Sequence, residues 1–164
     1  MDSDSITQFV AEAVRFETWA RNSELKGEPA AREALIRIGC LYLAALQLPP
    51  AWTDELAIHP EVERLTADEN CRVTAYKSIP IDMYGEVFDP LVLPPEVPVI
   101  GSIADDVIDI YREIVTGLRA YQSGNRAGAL WEWGIGFHSH WGEHATGAIR
   151  AIHAWLASNA MKIP

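Results

Sequence analysis

The chain has 164 residues, 49% of them hydrophobic and 22% charged, which suits one folded domain with its own core and excludes a disordered or fibrous protein. A formal net charge of −10 argues against nucleic acid as a partner, since that needs a clustered Lys/Arg face, and favours solubility and basic partners. The acidic start "MDSDSITQF" does not read as a signal peptide, and the longest apolar run, "IGCLYLAAL" at 38–46, falls far short of the roughly 20 residues of a membrane span.

A cytoplasmic location follows as the expectation. Cys40 and Cys71 fit a reducing compartment and suggest neither a disulfide framework nor a Cys-type zinc site.

Four segments carry a helical period. The first runs from about Ser5 to Arg21, with Ile6, Phe9, Val10, Ala13, Phe16 and Ala20 on one stripe. Glu17 falls near the centre of that stripe, where a carboxylate needs a partner such as an Arg or a Tyr hydroxyl. The second helix starts after Pro29, carries Ala31, Ala34, Leu35, Ile38, Leu41, Tyr42 and Ala45 on its apolar face, and stops at "LPP".

The third opens at "GSIADDVIDIYREIVTGL", with Ser102 as N-cap and Asp105 in the position of a capping-box acid. Ile103, Val107, Ile110, Ile114 and Leu118 form its apolar face, and "SGN" ends it near Gly124. The fourth is the longest, from about Asn125 to Ser158, and is apolar over so much of its girth that it should be central; Gly134 and Gly136 are places where it could kink.

Short links join helix one to two and helix three to four. The expected fold is all-α: one domain over residues 1–164, a four-helix bundle built from two antiparallel hairpins. Between helices two and three lies a long Pro-rich connection, residues 48–101, expected to be ordered and packed on the bundle. Residues Glu61 to Lys77 of it offer one further helix, and no strand pattern is strong enough to predict a sheet.

Three of the five histidines lie in "FHSHWGEH", Phe137 to His144. At 100° per residue His140 and His144 share a helix face, while His138 leaves on the far flank of the apolar stripe and His153 reads as structural or exposed. With Glu143 the pair spells H-x-x-E-H, the inverzincin pattern, but so short a spacing arises easily by chance and no partner motif accompanies it. The plain alternative is two hydrogen-bonded histidines at the edge of the core.

On the third helix Asp106, Asp109 and Glu113 line one flank, whereas Asp105 points away as a cap and dipole residue. Folding the hairpin about residue 123 sets residue 106 level with 140 and residue 102 level with 144, so Asp106 is expected to reach His140, orienting it and raising its basicity. Asp106, Asp109, His140 and His144 are then candidate ligands for a divalent metal, with Zn, Mn or Fe the cofactors such an N/O site accepts. The competing expectation pairs Asp109 with Arg112 and Glu113 with Arg119.

In the connection, "YGEVFDPL" alternates aromatics and acids before a proline. It is either a loop pinned to the bundle, with Asp89 starting a turn before Pro90, or a recognition loop carrying Glu86 and Asp89. Tyr84, Glu86, Phe88 and Asp89, with Trp141 beside the histidines, form the candidate ligand- or partner-binding set. P-loop, dinucleotide-binding, nucleophile-elbow and catalytic-cysteine signatures are not found.

Three blocks, "YGEVFDP", "GSIADDVIDIYREIVTGL" and "WEWGIGFHSHWGEHATGAIRAIH", resemble a bacterial family known as domain of unknown function 5063. The resemblance implies an all-helical cytoplasmic protein and no assigned activity. It marks Tyr84, Phe88, Asp89, Asp105, Asp106, Asp109, Tyr111, Trp131, Trp133, His140, Trp141, Gly142 and His144. The family pattern does not require Glu143 or His138, which undercuts the inverzincin reading and leaves Asp106, His140 and His144.

Two functions from different classes fit. The first is a small acidic module that binds a protein or small ligand without catalysis; the absence of a complete catalytic constellation favours it. The alternative is a metal-dependent or acid–base enzyme using Asp106, His140 and His144 as catalytic candidates.

Overall fold

A computed structural model describes residues 2–50, 61–87 and 89–161. It is mostly helical, as expected of an all-α protein. Helix α1 spans Asp2–Asn22, and Ile6, Phe9, Ala13, Phe16 and Ala20 are all buried, the alternating steps of three and four that put one stripe against a core. Helix α2 spans Glu28–Ala45. Gly27 precedes it at φ 65°, a conformation that favours glycine, and Pro29 occupies its first turn. Glu17 is half-buried and ion-pairs with Arg21 one turn on, at 3.0 Å.

The further helix expected over Glu61–Lys77 shrinks to one turn, α3 (Ala67–Asn70), followed by a 3-10 turn at Ala75–Ser78. Thr66 and Glu69 close a capping box around α3. The backbone beyond is recruited elsewhere: Thr74 N–H donates to the Ala20 carbonyl at 2.9 Å, and the Ser78 carbonyl accepts from Gly27 at 3.1 Å. Val73, Ala75 and Ile79 are buried beneath. Tertiary hydrogen bonds thus replace the intrahelical ladder.

A sheet forms where the sequence predicted none. Strands β1 (Met83–Glu86) and β2 (Val99–Ser102) pair antiparallel, with Tyr84 opposite Gly101. Met83, Val99 and Ile100 are exposed, so no alternating apolar face announces the ribbon. It is held by its ladder and by side chains: Asp82 Oδ1 accepts from the Ser102 hydroxyl at 2.9 Å and from Ala104 N–H at 3.0 Å.

Helix α4 (Ile103–Gln122) starts at this junction, with Ser102 accepting from Asp105 N–H at 3.3 Å. Its Arg119 pairs with Glu69 and so fastens α3 to it. That pair holds the Glu69 carboxyl down at about 2, the Arg119 hydrogen bond being the largest cause and the Thr66 hydrogen bonds the next. A depressed carboxyl contributes stability that is present above its unfolded value and lost as pH falls through the folded one. Acid titration of the wild type between about pH 4.5 and 2 should show that loss; Glu69→Gln, followed by circular dichroism, should flatten it.

The long fourth helix is not continuous. It divides into α5 (Arg126–Ser139) and α6 (Trp141–Ala160) at His140, whose φ of −157° and ψ of −82° are non-helical. His140 N–H still donates to the Gly136 carbonyl at 2.8 Å, while its own carbonyl accepts from Glu143 at 3.0 Å. One residue therefore ends α5 and caps α6. The Phe137 carbonyl fills the space a Cβ at position 142 would need, so only glycine fits in the first turn of α6. Helix α1 packs on α2 and α4, α2 on α6, and α4 on both α5 and α6. Among the described residues no helix is long and apolar enough to cross a membrane.

Candidate functional site

Three elements converge at the start of α6. Helix α4 presents Asp106, Asp109 and Glu113 at steps of three and four residues, hence on one face. The α5–α6 joint presents His140, and the first turn of α6 presents His144. The period-two alternation of β1 turns Tyr84 and Glu86 inward together.

Asp106 is the centre of the network. It is 3% exposed and uses both oxygens: Oδ1 accepts from His144 Nδ1 at 2.9 Å, and Oδ2 accepts from the Tyr84 hydroxyl at 2.9 Å. The Tyr84 hydroxyl also lies 3.3 Å from Glu86 Oε2. A hydroxyl has one proton, already given to Asp106, so the Glu86 contact is a hydrogen bond when Glu86 carries the proton. Burial first, and the Asp106 charge second, push the Glu86 carboxyl upward, in keeping with that. Burial also raises Tyr84, and the Asp106 charge adds to it.

His144 uses its other nitrogen on a second acid: Nε2 lies 3.6 Å from Asp109 Oδ2. The Asp109 Oδ1 atom is taken by Arg112 at 2.7 Å, the i,i+3 pair foreseen from the sequence. His140 Nδ1 is 2.5 Å from Glu113 Oε1, so Glu113 pairs with His140 and Arg119 pairs with Glu69 instead. The two imidazoles meet edge-on, with ring centroids 4.8 Å apart.

Burial is the main force raising the Asp106 and Glu113 carboxyls, while their histidine hydrogen bonds pull the other way. His144 is raised chiefly by its hydrogen bond to Asp106, with the charges of Asp106 and Asp109 adding to it and burial opposing. Asp106 is enclosed, whereas the His144 ring is partly exposed to water and faces two carboxylates.

Two glycines make this crowding feasible. The Glu113 Oε2 atom lies where a Cβ at Gly136 would stand, and the Tyr84 hydroxyl and Glu86 carboxylate lie where a Cβ at Gly147 would stand. Glu113 Oε2 itself is buried without a hydrogen-bond partner.

Of the sequence-predicted site residues, Asp106, Asp109, His140, His144, Tyr84 and Glu86 come together. The register differs by one turn: Asp106 holds His144, not His140. Folding a continuous helix back at 1.5 Å per residue cannot anticipate a break at residue 140, and four residues amount to about 6 Å. Glu113, placed on the right flank but left out of the candidate set, takes the partner meant for Asp106.

Asp89 stays apart, with its Oδ1 accepting from Leu91 N–H at 2.8 Å in the turn anticipated before Pro90. Phe88 lies outside the described residues. Trp141 is 0% exposed and its indole N–H donates to the Trp133 carbonyl at 3.0 Å, so its ring is enclosed in the core and not presented to a ligand. His138, Glu143 and Asp105 are exposed, and Tyr111 and Trp133 are buried.

Asp109, His140 and His144 each offer a ligand atom, all within 4.8 Å of one another. Atoms sharing a tetrahedral zinc ion with bonds near 2.0 Å stand about 3.3 Å apart, so a modest rotation, chiefly of the exposed His140 side chain, would close the set. Beside it lies a cavity of about 440 Å³ lined by His144, Glu86, Val87, Pro90, Thr146 and Arg150, with Glu143 at its edge.

The chain is similar over 91% of its length, and over 90% of the other, to the crystal structure of protein BF1032 from Bacteroides fragilis, at 22% identity and a TM-score of 0.64. At that identity the likeness concerns the fold. No curated protein matches the chain. The three blocks that suggested a family are part of a wider agreement: the sequence pattern of the family described as Domain of unknown function (DUF5063) matches residues 2–158, and the chain belongs to that family.

Proposed function

We infer that the chain binds one divalent metal ion through Asp109, His140 and His144 and uses it on a substrate held in the adjoining cavity. The observation that carries this is the state of the two imidazoles. Each has Nδ1 engaged by a buried or half-buried carboxylate, Asp106 for His144 and Glu113 for His140, which leaves Nε2 as the ring donor in both. A carboxylate on the far nitrogen is how metal-ligating histidines are fixed in tautomer and made more basic.

Two histidines and one carboxylate leave coordination positions open, as a catalytic centre needs and a structural one does not. Zn, Mn or Fe suits this donor set, and an ion so held would polarise a substrate oxygen and acidify a bound water. Glu86 lies on the same cavity wall as His144. Tyr84 fixes Glu86 and Asp106 relative to each other.

The test is a calorimetric titration of tag-free, metal-stripped protein with zinc at about pH 8, where imidazole competes little with protons. We expect one site, with affinity lowered by more than about 100-fold in His144→Ala and Asp109→Ala, beyond the 10- to 100-fold typical of losing only an outer-shell partner of a ligand. Absence of zinc, manganese and iron binding in the wild type, or variants that bind like it, would overturn the metal centre.

A second reading has its own support. His144 already bridges Asp106 and Asp109, and Arg112 already neutralises Asp109, so the network also works as a lock between α4, α6 and the ribbon. On that reading the chain is a non-catalytic module binding a protein or small ligand at the same cavity. We also read α1, α2, α4 and the jointed α5–α6 as four rods of a single-domain bundle with the 48–101 connection laid on it, supported by the packing of α1 on α2 and of α4 on α5 and α6. A cytoplasmic location accords with the acidic composition.

A further inference from the structure

The cavity beside His144 contains a charge the network leaves unused. Arg150 lies on α6, exposed, and among the described residues no carboxylate pairs with it. Arginines 15, 21, 32, 37, 112 and 119 pair with an acid near them; Arg150 does not, and it stands on a cavity wall. In a chain of net charge −10, an arginine without an acid at a cavity wall is available to an incoming anion.

The other walls narrow the anion's chemistry. Glu143 lines the same space, so a dianionic phosphate would meet a carboxylate beside the one guanidinium. A carboxylate carries one charge, and its two oxygens match the fork of a guanidinium. Val87 and Pro90 supply an apolar wall for the rest of the molecule. A space of about 440 Å³ lies in the range of small-molecule sites.

We propose that this cavity binds a small monocarboxylic acid with an apolar body, its carboxylate paired with Arg150 and its opposite end directed toward His144 and Asp109. This rests on the metal reading for its chemistry but not for its anion recognition. Thr146 cannot donate to the same carboxylate without giving up its bond to the Glu143 carbonyl, which leaves Arg150 as the principal anchor.

The experiment is a titration with sodium benzoate, in parallel with inorganic phosphate, of the zinc-loaded and the metal-free chain, for wild type and Arg150→Met. Zinc affinity is measured separately for each. Benzoate should bind the wild type and weaken about tenfold to a hundredfold in Arg150→Met, the loss of a charge-assisted hydrogen-bonded pair, while zinc affinity stays unchanged. Phosphate should bind more weakly than benzoate. Equal benzoate binding by the two proteins, no benzoate binding by the wild type, or tighter binding of phosphate would each overturn the proposal. If zinc fails to bind while benzoate binds in an Arg150-dependent way, the metal centre falls and the carboxylate site stands. Arg150→Met is a change at an exposed helix position, so the variant is expected to fold.

Discussion

Replacing Asp106 with alanine is expected to destabilise the protein by about 2–4 kcal/mol, read as a lowered denaturation midpoint in urea. Removing one partner of a buried charged pair leaves the other uncompensated, and here two partners are stranded, the Tyr84 hydroxyl and the His144 imidazole. The estimate sits below the usual cost of breaking a buried pair because the His144 side chain is 24% exposed and can release its proton to water. Asp106→Asn should cost less, since an amide oxygen still accepts from Tyr84 or His144.

The same variants separate the two functional readings. If the network only locks elements together, Asp106→Asn changes stability and no ligand affinity. If His144 is a metal ligand, Asp106→Asn also weakens zinc binding by about 10- to 100-fold, because the carboxylate that orients the ligand is gone. Equal zinc affinity in Asp106→Asn and wild type would remove Asp106 from any metal-supporting role.

Trp141→Ala is expected to cost about 3–5 kcal/mol, the largest single-residue effect foreseen for this chain. The ring is wholly enclosed, packs against Phe137 at 4.9 Å and Phe9 at 6.5 Å, and donates its N–H to the Trp133 carbonyl. It occupies the first helical position after the break, so its loss leaves a cavity beside the joint that sets His140 and removes the indole hydrogen bond that ties α6 to α5. Trp141→Phe should recover most of the loss, lacking only the hydrogen bond, worth about 1 kcal/mol. A Trp141→Ala protein that melts like the wild type but fails to bind benzoate would show that the ring serves ligand and not core.

How far the site was legible depended on which interactions are periodic. The stripe of α1 and the apolar face of α4 are read directly, because burial of one helix face imposes a repeat of three and four residues. The same geometry put Asp106, Asp109 and Glu113 together on one flank. The ribbon was missed because β1 faces inward with Tyr84 and Glu86, polar-tipped residues that form no apolar alternation. Gly136 and Gly147 gave no signal either: their small size matters only where a carboxylate or a hydroxyl from another element comes close.

What the residues determined alone, then, is the helical class, the extents of α1, α2 and α4, and the membership of Asp106, Asp109, His140 and His144 in one neighbourhood. These follow from local period, capping and hairpin closure, all short-range in sequence. Tertiary structure alone decided the pairing, His144 with Asp106 and His140 with Glu113, and the arrival of Tyr84, Glu86 and the Arg150 cavity beside them. The physical reason is the break at His140. One residue outside helical geometry sets α6 off from the line of α5, and no local propensity fixes such a residue when packing and a single carbonyl contact decide it.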